Sequence, residues 1–393
     1  MSAFNLQTCA RPNILQLVPY RCARDDYKDD GTNILLDANE NAFGPSLPSE
    51  VYNGTLHRYP DPHQIALKEK FCDLRNVPCP GPVSPPKPLA PENLFLGVGS
   101  DECIDALLRA FCVPGKEGIL TCPPTYGMYS VSAQVNDVAV VPHPLTAEFD
   151  VDVEGIAEIL AGPKGKEIKL VYICSPGNPT GKLVSPLAVK ALLEQPTWNG
   201  VVVVDEAYID FSPEGSSIAP WVTAFPNLVV MQTLSKAFGL AAIRVGVSFT
   251  SPEIATILNS LKAPYSISSP TSSLATAALG SGGLKVQAEK MVKIVSERER
   301  LVKELPKIEG VGKFLGGFDA NFLLVEMLDK SGNPSNEVAL RVYKQLAETR
   351  GVVVRFRGKE RGCNGCLRIT VGTEQENSTM LERLKEVLAE ARK

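Results

Sequence analysis

Between residues 168 and 249 the chain carries short runs that are apolar almost throughout: Ile168–Cys174, Val201–Asp205, Leu228–Gln232 and Arg244–Phe249. A strand with one wet face alternates apolar with polar side chains, whereas Val201-Val202-Val203-Val204 offers no polar face at all. Such runs fit strands covered on both sides. Two further candidates precede them, Asn93–Gly97 and Gly118–Thr121. Between these two, Asp101–Phe111 places apolar residues at 104, 107, 108 and 111 on one helical stripe, with acids at its start where the helix dipole favours them. Strands and helices in alternation predict an α/β domain, a mostly parallel sheet flanked by helices.

At 393 residues the chain exceeds the size at which one core stops growing, so two domains are expected. The pattern changes after about residue 262: a charge-laced helical stretch covers Leu284–Leu305, strands are expected at Asn321–Glu326, Val352–Arg355 and Leu367–Val371, and helices at Asn336–Thr349 and Glu376–Ala391. We therefore expect an N-terminal arm over 1–35, a large α/β domain over 36–265 and a small C-terminal α+β domain over 266–393. Residues 77–91 hold seven prolines in fifteen positions. They cannot form a helix or a central strand and read as a surface insertion with polyproline II character.

A net charge of −4 gives no reason to expect nucleic-acid or membrane binding, and no apolar run approaches the roughly 20 residues of a membrane span. The first ten residues lack a basic segment feeding an apolar stretch, so the expected location is the cytoplasm. Several of the ten cysteines sit in apolar contexts, such as Phe111-Cys112-Val113, and read as core thiols rather than a disulfide framework. Cys363-Asn364-Gly365-Cys366 is the one CxxC, with only His57, His63 and His143 elsewhere as histidine ligands; it reads as a turn, and no metal is expected.

The chemistry starts at Lys236, in Thr233-Leu234-Ser235-Lys236-Ala237-Phe238-Gly239-Leu240, directly after an apolar strand where a lysine is poorly placed for solvent. Arg244 adds a second cation. An amine that can condense with a carbonyl, beside an arginine and hydroxyls that can hold a phosphate, suits a phosphate-bearing carbonyl compound. Asp205 ends the valine run, at the edge where open parallel sheets place their ligand crevice. An ion pair or a magnesium ligand is the plain alternative, but the GxxxxGK[ST] loop that a nucleotide site requires is missing. A pyridinium nitrogen facing Asp205 fits better, since keeping it protonated makes the ring an electron sink.

Tyr208 and Asn178, the latter in Ser175-Pro176-Gly177-Asn178-Pro179-Thr180-Gly181, follow strand ends and can reach a ring hydroxyl. The run Gly97-Val98-Gly99-Ser100-Asp101-Glu102 leads from a strand into a helix and offers an anion seat, or only a tight turn. Tyr126 can stack on a flat cofactor, whereas Tyr129 reads equally well as core.

The blocks CPPTYGMYSVSA, SPGNPTG, DEAYIDF, TLSKAFGLAAIRVG and CLRITVGT resemble, in order, those of the pyridoxal-phosphate-dependent aminotransferases of fold type I, and among them the histidinol-phosphate aminotransferases. The resemblance implies pyridoxal 5'-phosphate as cofactor, Lys236 as the lysine that links to it and shuttles the proton, Asp205 as partner of its ring nitrogen, Tyr208 and Asn178 on its hydroxyl and Tyr126 against its ring. Gly99, Ser100, Asp101, Ser235 and Arg244 would hold its phosphate, and Tyr59 would reach the phosphate of a neighbouring subunit, implying a homodimer with shared active sites. Tyr20, Arg355 and Arg368, with Asn178, would bind substrate. The implied substrates are histidinol phosphate and glutamate or 2-oxoglutarate; phosphate asks for more donors than a carboxylate, which the two arginines and a phenol would meet. Bacterial members of the family often carry two asparagines in the SPNNPTG block; here Gly177 takes the first place and Asn178 keeps the second. The rival readings are an aromatic aminotransferase, a phospho-amino-acid decarboxylase or a catalytically silent regulator on the same fold. A dehydrogenase is weaker, because GVGSDE lacks the full GxGxxG pattern.

Overall fold

The computed structural model describes residues 2–22, 25, 32–48, 50, 54–78 and 81–392. Part of the expected N-terminal arm, and Cys79 and Pro80 of the proline-rich stretch, lie outside the described residues. Seven strands form one sheet: β1 (Leu94–Val98), β2 (Gly118–Thr121), β3 (Ala139–Pro142), β4 (Ile168–Cys174), β5 (Val201–Asp205), β6 (Leu228–Thr233) and β7 (Val245–Phe249), in the order β1-β7-β6-β5-β4-β2-β3. The ladders from β3 to β6 are parallel, and β7 runs antiparallel to both of its neighbours. A second sheet, in the order β10-β11-β9-β8, is antiparallel throughout and comprises β8 (Val311–Leu315), β9 (Phe322–Met327), β10 (Arg355–Phe356) and β11 (Cys366–Thr370).

The continuous apolar runs are explained by burial on both faces of the first sheet. Val202, Val204, Leu228 and Val230 enter one cluster, with Phe71, Leu192 and Trp221. Val201, Val203, Val229 and Met231 enter the other, with Ile104, Leu107 and Leu258. None of these valines is more than 1% exposed, and full burial contributes on the order of 1.5–3 kcal/mol per side chain. That gain is what lets β5 carry an ionisable residue, Asp205, at its end. The helix Gly99–Phe111 buries the predicted stripe Ile104, Leu107, Leu108 and Phe111 against the sheet.

Three departures from the sequence reading have physical causes. Edge strands β3 and β8 went unpredicted because their side chains are at most half-buried and show no unbroken apolar run. The strand expected at Val352–Arg355 begins only at Arg355, because the Val352 N–H bonds back to the Leu346 carbonyl and Val353 is exposed. The helix Ser269–Leu279 packs Ala275 and Leu279 into the first sheet's core, so that core extends past the expected boundary at residue 265. The second sheet has its own core, with Leu301, Leu323, Val325, Leu346 and Leu384. No helix among the described residues is long and apolar enough to cross a membrane.

The proline-rich stretch has neither helix nor strand among its described residues before Pro91, yet it is pinned rather than merely draped. Leu89 is 4% exposed within the first core, and the Asn76 side chain accepts from its N–H and donates to its carbonyl. Leu89→Ala should therefore cost about 2–5 kcal/mol, whereas Pro86→Ala, on an exposed position, should stay within about 0.5 kcal/mol. Urea unfolding midpoints check this; equal effects would mean the stretch carries no packing.

Candidate active site

The parallel register sets the floor of the site. Cys174 pairs with Asp205 across β4 and β5, and Asp205 with Met231 across β5 and β6, so three strand ends share one edge. A cavity of about 590 Å³ opens there. It gathers Ser100, Asp101, Tyr126, Asn178, Asp205, Tyr208, Ser235, Lys236, Arg244, Arg355 and Arg368 from segments up to 268 residues apart. The second sheet closes over the first at the Asn178 loop: Gly317 donates to the Thr180 carbonyl and Asp319 to the Gly181 carbonyl, both at 2.9 Å. The left-handed Gly316 (φ +78°) permits that contact, since a Cβ there would run into the Thr180 backbone.

Asp205 is 3% exposed and has no ion-pair partner among the described residues. The Tyr129 hydroxyl donates to its Oδ2 at 2.7 Å and the Ala207 N–H to its Oδ1 at 3.1 Å. Burial nevertheless raises its pKa, against the pull of those two bonds. Tyr129 thus joins both readings made from the sequence: its ring is wholly buried, stacked on Tyr172 at 4.7 Å, while its hydroxyl serves the site. Neighbouring Glu206 is directed away, bonded to Ser217, Ile218 and Gln232.

Lys236 departs from the expectation of a lysine hidden from solvent: it is exposed into the cavity. Its ammonium stands 5.6 Å from the Tyr208 ring centroid. Desolvation by the surrounding protein, and then the charge of Arg368, lower its pKa, which raises the fraction of free amine. Tyr208 is 7% exposed, packed edge-on against Phe322 at 5.2 Å, and burial pushes its phenol up.

The anion seat forms where β7 meets the helix Gly99–Phe111. Gly99 (φ +75°) donates to the Arg244 carbonyl at 3.0 Å, and any Cβ on it would collide with the Arg244 guanidinium. Arg244 Nη2 lies 3.2 Å from Asp101 Oδ2, and the Thr233 and Ser235 hydroxyls are 2.9 Å apart. With Ser100 in the first helical turn, these groups put hydroxyls, a guanidinium and a positive helix end around one corner. Tyr126 lines the wall, its hydroxyl 3.3 Å from Asp101 Oδ1; burial and that carboxylate push its pKa up to about 12.

Opposite this corner, β11 and β10 supply the arginines. Arg355 lies across the ladder from Arg368, and Arg368 Nη1 donates to Asn178 Oδ1 at 2.5 Å. The Asn178 oxygen is thereby committed to the arginine wall, leaving its amide N–H groups for a ligand. Arg357, also in the wall, was missed; its only sequence signal is its place two residues after Arg355, on the same face of an extended chain.

Tyr59 and Tyr20 are not brought into this cavity within one chain. Tyr59 is 57% exposed and stacks on Tyr265 at 4.6 Å, and Tyr20, 68% exposed, lines a separate cavity of about 300 Å³ with Lys68 and Lys262. Cys363 and Cys366 are buried with Phe149 and Leu324, apart from the site.

The raised pKa of Asp205 has a stability consequence. A carboxylate that holds its proton more tightly when folded imposes no cost below its ordinary value of 3.8, and stability then falls as pH rises from there through the raised pKa. Asp205→Asn removes that slope, and an amide oxygen can keep the Tyr129 bond. The variant should be more stable than its parent at pH 8, with the gain shrinking as pH falls toward 3.8, as read from thermal unfolding across that range. A gain that did not grow with pH would contradict the burial argument.

Comparisons with known proteins agree with this geometry. Residues 26–384 match the family described as aminotransferase class I and II. The chain is 53% identical to histidinol-phosphate aminotransferase of Schizosaccharomyces pombe and 50% identical to that of Saccharomyces cerevisiae, in each case covering 98% of both chains. In fold it is similar to the crystal structure of histidinol-phosphate aminotransferase from Sinorhizobium meliloti in complex with pyridoxal-5'-phosphate, with a TM-score of 0.73 at 24% identity over 90% of each chain. The chain belongs to the class I and II aminotransferases, and within them to the histidinol-phosphate aminotransferase family.

Proposed function

We propose that the chain transfers an amino group between L-histidinol phosphate and 2-oxoglutarate, giving imidazole acetol phosphate and L-glutamate, with pyridoxal 5'-phosphate as cofactor. In histidine biosynthesis it would run toward histidinol phosphate, with glutamate as donor. One observation carries the reading: a buried carboxylate with no ion-pair partner among the described residues, Asp205, shares a cavity with a lysine of lowered pKa and an arginine wall. A protonated ring nitrogen is the partner such a carboxylate lacks, and the corner formed by Ser100, Ser235 and Arg244 suits a phosphate.

Bound there, the cofactor supplies a carbonyl that links to amines and an electron-poor ring that takes up the electrons of an adjacent C–H bond. Asp205 keeps the ring nitrogen protonated, and the Tyr129 hydroxyl keeps Asp205 oriented. Tyr208 and the Asn178 amide would hold the ring hydroxyl, and Tyr126 would pack against the ring. With the cofactor held there, the Lys236 Nζ would be placed to take the proton from the substrate carbon as general base and to return it as general acid. Arg355 and Arg368 present forks to the substrate phosphate, and the same cations take a carboxylate when glutamate occupies the site. Nine free thiols among the described cysteines support a reducing compartment, the cytoplasm.

Lys236→Ala should abolish turnover and the visible absorption of the lysine-bound cofactor together. Arg355→Gln should lower kcat/KM for histidinol phosphate by about ten- to a hundredfold, the worth of one charge-assisted hydrogen bond, and affect phenylalanine far less. Equal losses on both substrates would favour the aromatic-aminotransferase reading.

The exposed positions of Tyr59 and Tyr20 support sites shared between two copies, each lending residues to its partner. Chains carrying Lys236→Ala and chains carrying Tyr59→Ala, each deficient alone, should recover activity when co-expressed, because one site of each mixed dimer has both residues. Sedimentation should show a dimer, and failure of the mixture to complement would place Tyr59 outside the site.

A further inference from the structure

Of the four arginines that line the cavity, Arg244 faces the phosphate corner and two are assigned to the substrate, which leaves Arg357 without a role. Arg355, Arg357 and Arg368 line the same wall, and Arg368 is held below its ordinary pKa by burial and then by its two neighbours. One carboxylate stands against them: Glu360 Oε1 lies 2.6 Å from Arg357 Nη1, and Glu360 itself is outside the cavity lining. Arg357 Nη2 also reaches Asn178 Oδ1 at 3.4 Å, joining the oxygen that Arg368 occupies.

The charges of this cluster match an anion of a particular class. Three guanidiniums against one carboxylate leave a surplus of two positive charges, which a phosphate monoester near −2 neutralises and a single carboxylate does not.

We propose that Arg357 is a third phosphate-binding guanidinium and a specificity-determining residue, held in its pose by Glu360 as a positioning residue, so that this wall prefers a phosphate dianion to a carboxylate. The inference rests on the substrate reading above, and the two fail in different ways. Glu360 grips one Nη of Arg357 from outside the cavity and Asn178 Oδ1 receives the other at 3.4 Å, so the guanidinium is held in place before a ligand arrives and little entropy is lost on binding.

The test compares the two half-reactions of the holoenzyme. Arg357→Gln should lower kcat/KM for histidinol phosphate about ten- to a hundredfold, chiefly through KM, while kcat/KM for glutamate falls by less than about threefold. Arg357→Lys, which keeps the charge but not the fork, should recover part of the loss. Glu360→Gln should weaken histidinol phosphate and inorganic phosphate as inhibitor in the same proportion, with kcat retained. An unchanged ratio between the two substrates in Arg357→Gln, or a loss confined to kcat, would overturn the proposal. If the unaltered protein does not turn over histidinol phosphate at all, the substrate reading itself fails.

Discussion

Everything in the site is arranged around a carboxylate that the fold buries at a cost. Asp205 sits at the end of four valines buried on alternate faces of the sheet, and it cannot move to solvent without unthreading that strand. Two hydrogen bonds soften the penalty without removing it, since burial still dominates its pKa. A core residue that destabilises its own charged form is difficult to account for as structure and simple to account for as chemistry. Burial raises the pKa of the neighbouring acid as well, so the contrast lies in where each carboxylate faces. Glu206, equally buried, satisfies its oxygens with Ser217, Ile218 and Gln232 and faces away from the cavity.

From that anchor the sheet register does the positioning. β4 and β6 flank β5 in parallel, so the segments leaving their ends, which carry Asn178 and Lys236, emerge at the same edge as Asp205. The seam between the two sheets passes through the same loop. Thr180 and Gly181 bond to residues 317 and 319 while Asn178 receives Arg368, so the arginine wall and the Asp205 floor are keyed to each other by one short segment. Small shifts of the second sheet would therefore be felt at Asn178 before they reached Asp205.

The sequence made this floor legible and the rims less so. Strands buried on both faces announce themselves as unbroken apolar runs, and β2, β4 and β5 fall where those runs do. Edge strands β3 and β8 are half-buried, so they carry no such signal. Tyr129 shows a second kind of blindness: apolar spacing on the helix Met128–Val135 records its buried ring and says nothing of where its hydroxyl goes. Arg357 is hidden for a similar reason, because a two-residue strand is too short to show which side chains share a face. Tyr20 and Tyr59 lie outside the reach of any argument from one chain's periodicity, and a role for them came only from resemblance.

The directions of the pKa shifts tie these parts into one energetic argument. Desolvation by the surrounding protein raises Asp205 and lowers Lys236, so the folded site disfavours the charged form of each. They do not cancel one another: the pull of Lys236 on Asp205 ranks behind burial and both hydrogen bonds, and the pull of Asp205 on Lys236 ranks behind burial and Arg368. A ligand that brings a ring N–H to Asp205 and a carbonyl to Lys236 relieves both burdens at once, restoring a partner to the carboxylate and removing the need to protonate the amine. Because the unfolded chain offers no such arrangement, that relief appears as binding energy and as stability of the folded state by the same linkage.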